Sequence, residues 1–463
     1  MEERKKNIRI VMFPWLARGH ISAFLELAKA LAKRNFITYL YTTHANLAYF
    51  KDTLSPEETR HVKLMDIVLP YLPHLPRTSH TTAGLHPHLI NTLKLIFLKG
   101  KPDFFTILET LKPDLIIYDF LLPCIPLMAS TLHFPAVLFL ASGAAANSYH
   151  YHVRDNNPSI DYPFPEIFFK DHEHRRNKRI FDSLEDDGID ERNGITRCFE
   201  RSKGIILIKT FKELESKFID YLTFLFNKRF VPVGPLVRAF DQTDSGEYND
   251  KIIEWLNEKE KCSTIFISFG SELYFTKEQI QEMALGLELS MVNFIWVIRF
   301  PGTYKMEIRD FLPEGFYERN WNRGLIVEEW APQGRILKHS SIAGFVSHCG
   351  WNSVMEALSC GVPIIALPVQ HEQPLNARLL VNEVRVGLEI PKDEEGKFSK
   401  EGVAKVVREM VFEKRGESVR KKAKEFGEKM RENGENDIER VVDELVDLYK
   451  NSIRPTYYYK RRY

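Results

Sequence analysis

Residues 330–373 read WAPQGRILKHSSIAGFVSHCGWNSVMEALSCGVPIIALPVQHEQ, and the rest of the chain is best read outward from them. An apolar run, Ala343-Gly344-Phe345-Val346, leads into His348-Cys349-Gly350-Trp351-Asn352-Ser353, and a helical pattern follows from Val354 to Leu358. This is a strand, a glycine turn and a helix start. Such a turn presents backbone N–H groups at the positive end of a helix dipole, which suits a phosphate or diphosphate. The dipole adds about 0.3–1 kcal/mol per anionic group. Ser353 and Glu356 stand at capping-box spacing, and Gly361 with Pro363 ends the helix. On spacing alone Glu356 is first a cap holding the helix start. As a carboxylate one turn in, it is also placed to take the vicinal hydroxyls of a ribose.

The same grammar recurs upstream. Ile8 to Phe13 is a short β-branched run that predicts a buried first strand; Arg18-Gly19-His20 turns the chain, and Ile21, Phe24, Leu25, Ala28 and Leu31 then recur at helical spacing. His20 thus falls at the carboxyl edge of a parallel sheet, where α/β folds bind ligands. A helix start disfavours imidazolium, so a histidine there is suited to accept a proton. Further strands are predicted at Tyr39–Thr43, Val62–Leu69, Asp114–Tyr118, Ala136–Leu140 and Ile205–Ile208. Asp119 ends the run DLIIY, at the edge where a carboxylate can orient a histidine and stabilise its protonated form; its rival Asp114 lies at the opposite end. Residues 70–87, rich in Pro, His and Thr, predict a loop over a cleft, with histidines too irregular for a metal site. The charged, aromatic residues 155–193 predict a lid or loop.

After the punctuation FVPVGPL, the weakly patterned residues to Asp250 read as a linker, and a second α/β set follows. Thr264–Phe269 is a strand; Gly270-Ser271 repeats the phosphate-friendly turn, and Thr276 with Gln279 has capping-box spacing. Phe294–Ile298 and Leu325–Val327 are further strands. Pro374–Val384 and the charged stretch from Ser399 to Lys450 are helical, the latter with a solvated face. The basic, aromatic tail RPTYYYKRRY reads as a frayed end.

At 463 residues with net charge +1 the chain carries no electrostatic footprint for nucleic acid or an anionic surface. Its five cysteines, Cys124, Cys198, Cys262, Cys349 and Cys360, are scattered with no CxxC pair, as expected of reduced thiols in a cytoplasmic protein. No signal peptide is seen at the start of the sequence. Phe120–Ala146 lacks Asp, Glu, Lys and Arg, yet Pro123, Pro126 and Pro135 divide it, so no membrane span is expected. No G-x-G-x-x-G follows the first strand, which argues against a nicotinamide or flavin dinucleotide.

The stretch Trp330–Gln373 resembles, without insertion or deletion, the donor-binding signature of the plant family-1 UDP-dependent glycosyltransferases. MFPWLARGHISAFLELAKAL resembles that family's opening, and PDLIIYDF the strand that carries its second catalytic residue. The resemblance implies a GT-B architecture: two Rossmann-like α/β domains facing across a cleft, with the last helix returning to the first. The corresponding division is 1–235 for an acceptor-binding domain, 236–250 for the linker, 251–440 for the UDP-sugar domain and 441–463 for the C-terminal helix and tail. It further implies that His20 is a general base held by Asp119. Trp330 would stack on uracil, with Ala331 and Gln333 at the nucleoside, Glu356 on the ribose, and Ser271, His348, Asn352 and Ser353 at the diphosphate; Trp351, Glu372 and Gln373 would hold the sugar. Acceptor contacts are assigned to Trp15, His80, Ser142 and Asn147. One position departs: the family usually has Asp where this chain has Glu372, one methylene longer, while Gln373 rather than His looks like the glucose-preferring form.

The expected reaction is inverting transfer of glucose from UDP-glucose, as co-substrate, to a small-molecule hydroxyl, without metal or other cofactor, by a monomer. Finer resemblance, in FPWLARGHISAFLELAKAL, SHTTAGLHPHL and SFGSELYFTKEQIQEMALGLELSMVNFIWVIRFP, is to the branch-forming group that adds a sugar to a sugar on a flavonoid, terpenoid or similar glycoside. Direct glucosylation of an aglycone and non-catalytic UDP-sugar binding are the alternatives.

Overall fold

The two sets of apolar runs become two sheets. The computed structural model describes residues 7–155, 161–177, 191–238, 246–270, 273–300 and 307–453. Ser271, most of the linker, much of the expected lid and the basic tail lie outside them. Strands β1 (Ile8–Phe13), β2 (Phe36–Thr42), β3 (Val62–Asp66), β4 (Leu115–Tyr118), β5 (Ala136–Leu140), β6 (Ile205–Ile208) and β7 (Arg229–Pro232) form one sheet, in the order β3-β2-β1-β4-β5-β6-β7. Strands β8 (Thr264–Ser268), β9 (Asn293–Val297), β10 (Gly324–Val327), β11 (Ile342–Ser347), β12 (Ile364–Ala366) and β13 (Gly387–Glu389) form the other, in the order β10-β9-β8-β11-β12-β13. Every pairing in both is parallel. A strand covered on both faces has no solvent side to mark with polar residues, which is why these strands read as unbroken apolar runs. β4, β5, β6, β8 and β11 are buried along their whole length. The class is α/β, with two Rossmann-like halves, as the sequence indicates.

Boundaries move where the pattern is ambiguous. β2 begins at Phe36, ahead of the expected Tyr39, and β3 stops at Asp66, because Ile67 and Leu69 are buried in the following loop rather than in the sheet. The uncharged run 120–146 resolves into a helix, Cys124–Thr131, then β5, then the start of a helix at Ala144. Among the described residues no helix is long and apolar enough to cross a membrane.

By packing, the chain divides into two compact units. The first takes the described residues up to Ala144, those between Leu184 and Leu236 and those from Asn433 on; the second takes those between Ala145 and Ser183 and between Val237 and Glu432. The helix Lys414–Ile453 passes from one to the other. Its charged face conceals an apolar one: Ile438, Val441 and Leu445 are buried in the first unit's core with Ile10, Phe24 and Leu207. Arg34 adds a clamp to Glu435 at 2.5 Å and Glu439 at 2.8 Å. Leu445→Ala should therefore destabilise the first unit by about 2–5 kcal/mol, the usual cost of such a truncation in a packed core, read from denaturant unfolding followed by tryptophans of each unit.

Candidate active site

In each sheet the strand order reverses once, between β1 and β4 and between β8 and β11. At such a point the chain leaves neighbouring strands toward opposite faces, and a crevice opens at their carboxyl ends. In the first unit, β1 runs through Pro14–Ala17 into the helix Arg18–Ala32, so His20 sits in the first turn of the helix rather than before it. Next door, β4 ends at Tyr118 and Asp119 follows, its N–H held by the Phe13 carbonyl at 3.0 Å. The two side chains meet: His20 Nδ1 lies 2.6 Å from Asp119 Oδ2. The Asp119 side chain is fully buried and the His20 side chain is 25% exposed. Asp119 Oδ1 accepts the Leu121 N–H at 3.2 Å, which fixes the carboxylate plane. Asp114, at the far end of β4, instead accepts the Arg9 N–H at 2.8 Å.

The assigned acceptor residues scatter. Trp15 is buried with its ring edge-on to Phe97. His80 is buried, its Nε2 on the Leu75 carbonyl at 3.1 Å and its own carbonyl accepting from the Thr43 hydroxyl at 2.5 Å, so its ring holds the loop together. Ser142 follows β5 in the first unit, and Asn147, on the helix Ala144–Asp155, falls in the second; both are half-buried.

In the second unit β11 delivers the signature. Cys349 adopts a left-handed φ of 64°, Gly350 caps the helix Trp351–Ser359, and among the described residues no side chain caps that end; its first turn holds no acid. This corrects the reading of Ser353 and Glu356 as a capping box: the helix starts a turn earlier, Ser353 is already inside it, and Glu356 is released from capping. Its Oε2 accepts from Gln333 Nε2 at 2.5 Å, so the two residues assigned to nucleoside and ribose are bonded to each other. The Thr276–Gln279 capping box, by contrast, forms as expected.

Close backbone approach sets His348. A Cβ on Gly350 would lie 2.5 Å from its Nε2 and one on Gly270, whose φ is +75°, 3.0 Å from its Cε1. The imidazole is wedged between the turns that end β8 and β11, and its Nδ1 is sealed from solvent with no hydrogen-bond partner among the described residues. Burial pulls its pKa down to about 4, which keeps the ring neutral. Trp330 is 47% exposed and lies under the Arg299 guanidinium, 5.2 Å from ring centroid to Cζ; Arg299 also donates to the Gly270 carbonyl. Arg299 was not legible from sequence, since it lies past the end of β9 in no recognisable pattern. Ala331 and Trp351 are buried, while Asn352 and Ser353 are half-buried in the first helical turn. Gln373 is buried with Oε1 accepting the N–H groups of Val369 and Gln370, both at 3.0 Å, and Glu372 is half-buried beside it. Among the described residues no cluster of three or more His, Cys, Asp or Glu is placed to hold a metal ion.

The sequence and the fold both have known counterparts. Residues 224–420 match the family described as UDP-glucoronosyl and UDP-glucosyl transferase. UDP-glucosyltransferase 29 of Panax ginseng is 45% identical over 97% of this chain and 99% of its own. The chain belongs to the UDP-glycosyltransferases. This UDP-glycosyltransferase is also 41% identical to the beta-D-glucosyl crocetin beta-1,6-glucosyltransferase of Gardenia jasminoides, over 94% of this chain and 98% of the relative. Among solved structures, Phytolacca americana UGT2, complexed with UDP-2fluoro-glucose and pterostilbene, superposes with a TM-score of 0.77 at 27% identity, covering 96% of this chain and 100% of the other. The enzyme is thus a glycosyltransferase that uses a UDP-sugar donor.

The low pKa of His348 sets a pH dependence. The unfolded chain takes up a proton there near pH 6.5, whereas the folded protein does so only near pH 4. More protons on the unfolded state means stability falls as pH falls through that window. Urea midpoints measured at pH 7 and pH 5 should drop less in His348→Gln than in the wild type.

Proposed function

We propose that this UDP-glycosyltransferase transfers glucose from UDP-glucose to a hydroxyl of a sugar already carried by a small-molecule glycoside, with inversion to a β-linkage and without a metal ion. The reading rests first on the 2.6 Å contact between His20 Nδ1 and Asp119 Oδ2 at the first unit's switch point. With Nδ1 engaged, Nε2 is the nitrogen that takes the acceptor proton. As the hydroxyl oxygen forms its bond to the anomeric carbon, the bond from that carbon to the diphosphate oxygen breaks, and Asp119 stabilises the imidazolium that results. Such a base contributes roughly 10²–10⁴-fold.

The departing UDP carries its charge to the helix start at Gly350 and Trp351, with His348, Asn352 and Ser353 near it; Ser271 is assigned to the diphosphate by the resemblance alone. Preorganised dipoles of this kind stabilise developing charge without a cation. Trp330, Ala331, Gln333 and Glu356 hold uridine; Trp351, Glu372 and Gln373 hold the sugar. Glucose is favoured by Gln373, and the extra methylene of Glu372 keeps its hydroxyl bonds while shifting their reach. A glycoside acceptor is supported by the Gardenia relative, whose name specifies a glucosylated substrate, and by the resemblance of the opening and β8–β9 segments to branch-forming enzymes. The working protein is a cytoplasmic monomer on this reading.

The test is UDP-glucose incubated with the enzyme and a chelator against a panel of aglycones and their monoglucosides, products read by mass. Monoglucosides should gain a hexose and aglycones should not. His20→Ala and Asp119→Asn should lose about 10²-fold or more in kcat while binding UDP as the wild type does. Turnover of aglycones alone would replace the glycoside acceptor with an aglycone; unchanged kcat in His20→Ala would remove the base.

A further inference from the structure

The charged residues 161–177, read from sequence as part of a lid, are built into the second unit through buried ions. Glu173 is 5% exposed and Arg378 is 1% exposed. Arg378 Nη2 donates to both Glu173 oxygens, at 3.0 and 3.1 Å, and Nη1 donates to Glu389 Oε2 at 2.6 Å. Lys170 reaches the other Glu389 oxygen at 3.1 Å, and its backbone N–H donates to Glu173 at 2.8 Å. Phe168 lies against the Arg378 guanidinium, 5.3 Å from ring centroid to Cζ.

Stability alone is a poor reason for such a cluster, because desolvating the ions offsets most of their attraction, and apolar replacements are often neutral or stabilising. What the ions fix is position. Arg378 ends the short helix Gln373–Arg378, and the loop before that helix is tied at every step. The Lys392 ammonium donates to the Pro368 carbonyl, Gln373 Oε1 accepts from Val369 and Gln370, and Asn177 Nδ2 donates to the His371 carbonyl at 2.9 Å. Within the helix, Asn376 Nδ2 donates to the Cys349 carbonyl at 3.0 Å, joining it to the signature turn. His371 itself has a left-handed φ of 55°, a conformation that is strained for a non-glycine residue and persists only where neighbours over-determine it.

We infer that residues 161–177 position the donor sugar: Glu173 acting through Arg378, and Asn177 acting through His371, hold the loop that presents Glu372 and Gln373. The inference rests on the sugar-binding role proposed for those two residues. Neither Glu173 nor Asn177 touches substrate on this account; both are positioning residues for a loop some 200 residues later in the chain.

The test uses the full chain with Glu173→Gln and, as a milder change that leaves the ion cluster whole, Asn177→Ala. Calorimetry with UDP and with UDP-glucose, steady-state kinetics, and amide exchange of the ligand-free protein are measured together. Both variants should bind UDP as the wild type does, lose about 10- to 100-fold in kcat/KM for UDP-glucose, and discriminate less between UDP-glucose and UDP-galactose, as expected when a contact shell is misplaced from a distance. Exchange should quicken at residues 369–376 and stay unchanged elsewhere in the unit. If exchange there is unaltered, or if UDP and UDP-glucose weaken equally in Asn177→Ala with exchange faster throughout, the inference is overturned. A wild type that binds UDP but ignores UDP-glucose would overturn the proposed donor instead, and the exchange data would still decide whether residues 161–177 hold the loop.

Discussion

A parallel sheet whose strand order reverses cannot close its carboxyl edge. At β1 and β4, and again at β8 and β11, neighbouring strands send their chains to opposite faces, and the N–H groups and side chains just past the strand ends have no strand to pair with. The groups proposed for proton transfer and for the diphosphate start at those two gaps. His20 and Asp119 share the first; His348, Gly350 and the following helix start share the second. The apolar strands exist to hold the gaps open at fixed width.

The second gap depends on tight backbone more than on side-chain chemistry. His348 fits because two glycines leave room on either side, and its ring stays neutral because burial of Nδ1 disfavours the charged form. A neutral imidazole can donate to an anion without bringing a permanent charge that would hold the product. The pair formed by Gln333 and Glu356 is a similar economy of motion: the two groups are already oriented by one another in the ligand-free protein.

Strands and switch-point residues were legible because buried parallel strands betray themselves as apolar runs and their ends as the first polar residues after them; Asp119 after DLIIY is the clearest case. The helix cap was not. Ser353 and Glu356 have the spacing of a capping box, but the helix start was set by the left-handed turn at Cys349, a backbone choice that side-chain spacing does not encode. The role of Glu173 was invisible for another reason. In HEHRRNKR it is one acid in a charged run, and only folding brings Arg378 to it, so composition suggested a lid or loop where the structure has a buried ion cluster. The apolar side of the last helix was hidden in the same way, by long charged residues between Ile438, Val441 and Leu445.

That helix also orders events in time. Part of the first unit's core is supplied by residues translated some two hundred positions after its last strand, β7. At about 5–20 residues per second, a ribosome takes roughly 10 to 40 s to cover that distance. Throughout that interval the first sheet waits with an apolar flank open while the chain of the second unit is being made. During synthesis, then, the half that carries His20 and Asp119 is the first begun and the last finished.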